Sequence, residues 1–273
     1  MDAQELIERY NRGETNFEKV DLQNQKLTNI VLHRINLKEA NLSGACFEGC
    51  FLTQANLKEA NLENAVIQGD LSAVNLIQSQ LIKGDFHNSD LTDASLRNAN
   101  LSHSNFSHSK LICALLHDAI LKNVNLSHAI LINSLLSRAN LTDANLQSAN
   151  LQGANLTNAI MINTNLENAN LSLTQMNSVN GVGIKASHAN FSHANLSGGN
   201  FANSVFHCAN FYHSMMTWCS LKMVDFSEAN LSEANLLWSN LTRSNLTKAN
   251  LVHANISQVN FDRADLTEAV MKE

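Results

Sequence analysis

Proline is missing altogether from this 273-residue chain. Proline fixes φ and lacks an N–H, so its absence implies that nearly every position has a constrained backbone or a needed donor. Aromatic residues are few, 5% of the chain against 44% hydrophobic residues overall. No apolar run approaches the roughly 20 residues that a bilayer-spanning helix needs. The opening MDAQELIERYNRGE is charged throughout and lacks the apolar region of a signal peptide. A cytoplasmic protein without membrane contact is expected. The five cysteines are odd in number and unpatterned, Cys46 and Cys50 being the only close pair, which argues against a disulfide scaffold. The net charge of -6 and the lack of a phosphate-cradling glycine motif speak against direct nucleic-acid or nucleotide binding.

What the chain has is monotony. Residues 139–159 read ANLTDANLQSANLQGANLTNA, with a leucine every fifth residue. On an α-helix successive leucines would step round by about 140° and cover every side. On a strand they would alternate between faces. Neither element can gather them into one core. Taking each such leucine as a centre, there are eleven centres from Phe17 to Ile67 and forty-one from Leu71 to Met271; fifty of these fifty-two are Leu, Phe, Ile or Met. The residue two before each centre is small, except at Gln25, Ile30, Ile35 and Ile184. That offset puts a large and a small side chain on one side of an extended segment. A corner every five residues then closes the path into a coil, and stacked coils bury a continuous apolar column. The Asn before each centre faces outward beside a bend, where its amide can bond the local backbone.

Residues 37–42 and 57–62 are both LKEANL, and Phe86/Phe106, Phe191/Phe211 and Trp218/Trp238 share the same separation of twenty, which supports four sides per coil. The run of A-N-L-x-x units resembles the pentapeptide-repeat family over about residues 15–273. That resemblance implies an all-β fold, a right-handed quadrilateral β-helix of about thirteen coils, roughly 60 Å long at strand spacing. The opening ELIERYNRGETNF, followed by VDLQNQKLTN, resembles the start of cyanobacterial members, including one implicated in heterocyst differentiation. Residues 1–14 are expected to form a capping helix, with Leu6, Ile7 and Tyr10 on its apolar side, closing a coil edge that would otherwise expose core and unpaired backbone. Two irregularities interrupt the repeat. The spacing from Ile67 to Leu71 is four, with Gly69 where a permissive backbone is wanted. In residues 177–190, Gly181 and Ala186 are small where a large residue belongs and Ile184 is large where a small one belongs.

No catalytic, cofactor or metal site is expected. His103, His108, His128, His188, His193, His213 and His253 all occupy the outward slot two after a centre, on a convex surface without a cleft. His108/His128 and His193/His213 should stack, but two imidazoles fall short of a structural zinc set. The function expected is a non-enzymatic protein-interaction scaffold with a regulatory role, binding an unidentified protein or a second copy of itself. Its candidate surface is apolar: Met215, Trp218, Leu237 and Trp238 on one side, and Ile112, Leu115, Ile130, Ile132 and Leu135 about one corner, since contiguous exposed apolar surface marks protein contacts. The alternative comes from the family resemblance, because some members mimic DNA and bind topoisomerases such as gyrase. Asp85, Glu167, Asp225, Glu228, Asp265 and Glu268 share one side, next to a side carrying Lys83, Lys122, Lys222, Arg243 and Arg263.

Overall fold

The computed structural model describes residues 1–271. The last two residues of the 15–273 repeat lie outside the described residues. Its architecture follows from where one five-residue unit sends its donors, as Ala229–Asn230–Leu231–Ser232–Glu233 shows. Ala229 N–H closes a turn on Phe226 O at 3.0 Å. Asn230 N–H donates to Ala209 O of one neighbouring coil, 2.9 Å, while Leu231 N–H and Glu233 N–H donate to Asn250 O and Val252 O of the other, 2.7 and 2.9 Å. Ser232 N–H donates to the Asn230 side-chain oxygen, 3.2 Å. All five N–H groups are thus engaged, four of them by backbone carbonyls, which disfavours proline at four of the five positions.

Repeated twenty residues on, this pattern makes a β-helix of four-sided coils. Parallel bridges run Asn36 to Asn56 and Asn41 to Asn61, and likewise Asn170 to Asn190 and Asn190 to Asn210. Each corner from Lys19 to Glu268 gives the residue two after the centre a positive φ, near +60° everywhere except Gly69. That is the third position of a type II-like turn, where Gly, Asn, Asp and His are the cheapest occupants. Centres point inward: Leu141, Leu146, Leu151 and Leu156 are fully buried. Phenylalanines stack one coil apart, Phe86 on Phe106 and Phe191 on Phe211, at 4.7 and 4.8 Å between nearly parallel rings. Where Ser or Thr takes the small slot, most hydroxyls donate to a centre's carbonyl, either the preceding one, as Ser79 does to Leu76 at 2.6 Å, or one in the neighbouring coil, as Ser204 does to Gly181 at 2.9 Å. Outside, Asn amides form ladders: Asn190, Asn210, Asn230 and Asn250 each donate Nδ2 to the Oδ1 twenty residues earlier, over 3.0–3.3 Å.

The chain divides into two compact units, Met1–Leu135 and one beginning at Leu136. The first opens with α1 (Ala3–Asn11), whose N-cap Asp2 accepts from Glu5 N–H at 2.8 Å. Leu6 is fully buried, Ala3 N–H donates to Gln25 Oε1 and Tyr10 OH to His33 O. Arg9 pairs with Glu14 and lies 5.4 Å over the Phe17 ring. At the four-residue spacing, strands β1 (Cys46–Phe51) and β2 (Val66–Asp70) pair in parallel with a bulge between Glu48 and Cys50. Gly69 has φ +142°, and a Cβ there would sit 2.1 Å from Cys50 O, so only glycine fits. In the second unit Ile184 is fully buried; a Cβ on Gly181 would meet its Cδ1 at 2.6 Å and Phe201 at 2.8 Å. The large side chain in the small slot occupies the room that glycine vacates. All five cysteines are free. Among the described residues no helix is long and apolar enough to cross a membrane.

Candidate interaction and ligand sites

Trp218 and Trp238 occupy the same corner of successive coils in the second unit, after Gly198. Both take the left-handed conformation, φ +60° and +61°. For a bulky side chain this costs roughly 1–2 kcal/mol relative to right-handed backbone, yet both rings remain exposed, 65% and 47%. They lie parallel, 5.2 Å apart with 8° between their planes. Leu237 O accepts from Trp218 N–H at 3.0 Å, and the Leu237 side chain is half-buried beside the stack. Behind it Cys219 is buried, its thiol donating to Leu196 O at 3.1 Å; burial pushes that thiol up to about 12.

Met215 is also exposed on this side but belongs to its other end. It borders a shallow depression of about 410 Å3 with His193, His213, Ser214, Glu233 and Asn235. Met223, exposed at the corner after Trp218 with φ +57°, is an apolar neighbour the sequence reading missed. Its signal was legible: the same corner of the neighbouring coils holds Gly183, Asn203, Arg243 and Arg263, all polar or glycine.

In the first unit, Ile112, Leu115, Ile130, Ile132 and Leu135 are all half-buried. Leu115 bridges Leu135, and Ile132 O accepts from Cys113 N–H at 3.0 Å. Each of these side chains is less exposed than either tryptophan.

Of the acidic residues, Asp85 lies in the first unit and the other five in the second. Asp85, Asp225 and Asp265 sit one before a centre and accept local N–H groups, from His87, Ser227 and Thr267, over 2.9–3.2 Å. The hydroxyl and N–H of Thr267 hold the Asp265 carboxyl below its usual range. Asp225 and Asp265 stand two coils apart, with Asn245 bridging to both. Lys185 occupies the equivalent position in the same column, two coils before Asp225.

Of the two expected histidine stacks, His108 lies flat on His128 at 4.8 Å, whereas His193 and His213 are neighbours at 5.1 Å with their rings tilted by 51°. A different group converges more tightly. One ligand atom each from His188, His207 and Cys208 lie within 4.8 Å of one another. The Cys208 sulfur is 3.3 Å from His207 Nε2 and 3.7 Å from Glu228 Oε2. His188, Cys208 and Glu228 hold one corner of three successive coils, and His207 precedes Cys208. Sequence reasoning missed the group because it weighed histidines against histidines and not down a mixed column. Partial burial and the Glu228 charge raise the Cys208 thiol, the opposite of what an attacking thiolate needs.

Known structures resemble the chain as follows. HetL, a pentapeptide repeat protein involved in heterocyst differentiation regulation from the cyanobacterium Nostoc sp. strain PCC 7120, is 25% identical, over 99% of this chain and 97% of its own, with a TM-score of 0.36. QnrB1, a plasmid-mediated fluoroquinolone resistance protein, is 19% identical over 74% of this chain and 91% of its own, TM-score 0.28. A pentapeptide repeat protein of the Arabidopsis thaliana thylakoid lumen is 18% identical over 40% of this chain and 66% of its own, TM-score 0.23. Comparison with curated proteins gave no match. The pentapeptide-repeat family model matches repeatedly, over residues 15–54, 70–107, 99–138, 139–177, 187–222, 217–247 and 244–273. With the five-residue hydrogen-bonding unit repeated along both units, the chain belongs to the pentapeptide-repeat family.

Proposed function

We propose that this protein is a non-enzymatic scaffold that docks another protein through the Trp218/Trp238 corner and regulates it by occupancy. The observation that carries this reading is a pair of stacked, exposed tryptophans in a slot where glycine or asparagine would be cheaper. Side chains that cost folding energy and shield little of their own surface point to a contact made outside the chain, and tryptophan is typical of contact hot spots. Met223 and Leu237 extend the apolar surface, and helix α1 serves to close the first coil. Charge density favours this corner over the acidic side. Asp225 and Asp265, two coils apart, are separated by about 9.5 Å at strand spacing, whereas duplex DNA carries a charge about every 1.7 Å.

The test is capture of binding proteins from the source cells on immobilised wild type and on the Trp218→Asn/Trp238→Asn variant, with sedimentation of each protein alone. A protein, or a second copy, retained by wild type and lost at least tenfold by the variant is expected. Identical retention and identical sedimentation by the two would overturn the reading.

A further inference from the structure

We propose that His188, His207, Cys208 and Glu228 form a binding site for one zinc-class divalent ion on the second unit. Two edges of the ligand set are already at coordination size. Zn–N near 2.0 Å and Zn–S near 2.3 Å in a tetrahedron put ligand nitrogen and sulfur about 3.5 Å apart. The Cys208 sulfur lies 3.3 Å from His207 Nε2 and 3.7 Å from Glu228 Oε2, bracketing that value. The third nitrogen, from His188, lies within 4.8 Å of the others; its side chain is exposed and its ring meets that of His207 edge-on at 5.7 Å. A small rotation of the surface His188 therefore completes three ligands, and Glu228, whose carboxylate already reaches the sulfur, turns toward the imidazoles to supply the fourth.

The neighbours also orient the set. His207 Nδ1 and Ser227 Oγ are 2.9 Å apart, so an Nδ1–H donating to the hydroxyl leaves the Nε2 lone pair facing the sulfur. Ser227 is itself held by its N–H on Asp225 Oδ1 at 2.9 Å. The ligands stand on the rigid β-helix ladder, with Cys208 N–H donating to Ser227 O and His188 N–H to His207 O at 3.0 and 2.9 Å. Two imidazoles, a thiolate and a carboxylate suit a borderline cation and not magnesium or calcium, which take oxygen ligands.

The neighbouring histidines His193 and His213 provide the internal control. His193 and His213 face Glu233 without a sulfur ligand, His213 Nδ1 lying 3.3 Å from Glu233 Oε2. Cobalt(II) titration of the untagged full chain, followed by absorption, tests the site. One equivalent should produce sulfur-to-cobalt charge transfer with tetrahedral visible bands, both abolished by stoichiometric zinc. Cys208→Ser should remove the charge-transfer band and weaken zinc binding at least tenfold, as should His188→Ala and Glu228→Gln. His213→Ala should change neither. Circular dichroism of each variant reports folding separately, and zinc should raise the melting temperature of wild type and not of Cys208→Ser. Absence of charge transfer at one equivalent would overturn the proposal. So would a band that survives in Cys208→Ser, or equal weakening by His213→Ala, which would mean adventitious histidine binding.

Discussion

A single corner residue shows how this fold converts sequence into surface. The slot two after each centre is left-handed whatever occupies it, so its occupant is chosen by backbone cost or by an outside demand. Asparagine tolerates that conformation far better than tryptophan. Trp218→Asn/Trp238→Asn should therefore fold as well as wild type and gain about 1 kcal/mol in urea unfolding, offset in part by the lost ring stack. A large loss of stability would mean that the rings serve the fold and not a partner. The slot before the centre carries a different signal. Burial pushes the Asp90 carboxyl up, but hydrogen bonds from the Thr92 hydroxyl and N–H, with Lys110, overcome it and leave the carboxyl below its usual value. A carboxyl depressed on folding stabilises fully above its unfolded value of about 3.9, and that contribution is lost as pH falls through the folded value. Asp90→Asn keeps the acceptor for Thr92 while removing the titration. Its urea midpoint should fall less than wild type's between about pH 4 and pH 2; parallel curves would contradict the assignment.

At the scale of the element, the five-residue unit makes unequal demands on its backbone. Ser192 N–H bonds only the Asn190 side chain, and its place in the turn favours proline, whereas Asn190 N–H bonds Ala169 O in the neighbouring coil. Ser192→Pro should thus cost under about 1 kcal/mol and Asn190→Pro at least about 1–3 kcal/mol, because the latter leaves a buried carbonyl without its donor. Equal costs, measured by chemical denaturation, would contradict the hydrogen-bond accounting. Helix α1 presses Leu6 fully into the first coil. Leu6→Ala removes about 2–5 kcal/mol of packing, and nearest-neighbour stability confines the effect to the adjoining coils. Hydrogen exchange should speed at Phe17, Leu22 and Leu27 and stay unchanged beyond residue 136. Uniform acceleration along the chain would show global coupling instead.

Much of this was legible because each slot has one environment. The period of five, the buried leucines, the asparagine bends and the stacking of Trp218 on Trp238 all follow from counting residues. Other features depend on where side chains reach. Met215 and Trp218 share a side in sequence, but the fold puts methionine by His193 and His213 and tryptophan at the next corner. The inward and outward pattern likewise says nothing of His207 turning its Nε2 toward the Cys208 sulfur. That orientation depends on Ser227, a residue in the next coil.

For the molecule as a whole, each unit contains a buried thiol, Cys50 in the first and Cys219 in the second, beside the exposed Cys113. With burial raising both buried thiols, a thiol reagent at mildly alkaline pH should label Cys113 at once and reach Cys50 and Cys219 only through opening of their own coils. Immediate labelling of all three would contradict the packing. The central claim, that the tryptophan corner is where another protein docks, has a built-in reporter, since the chain contains only two tryptophans and both are there. The direct measurement is acrylamide quenching of their emission in the free protein and in its complex with the protein it retains. The account predicts strong quenching when free and marked protection in the complex; equal quenching in both states would contradict it.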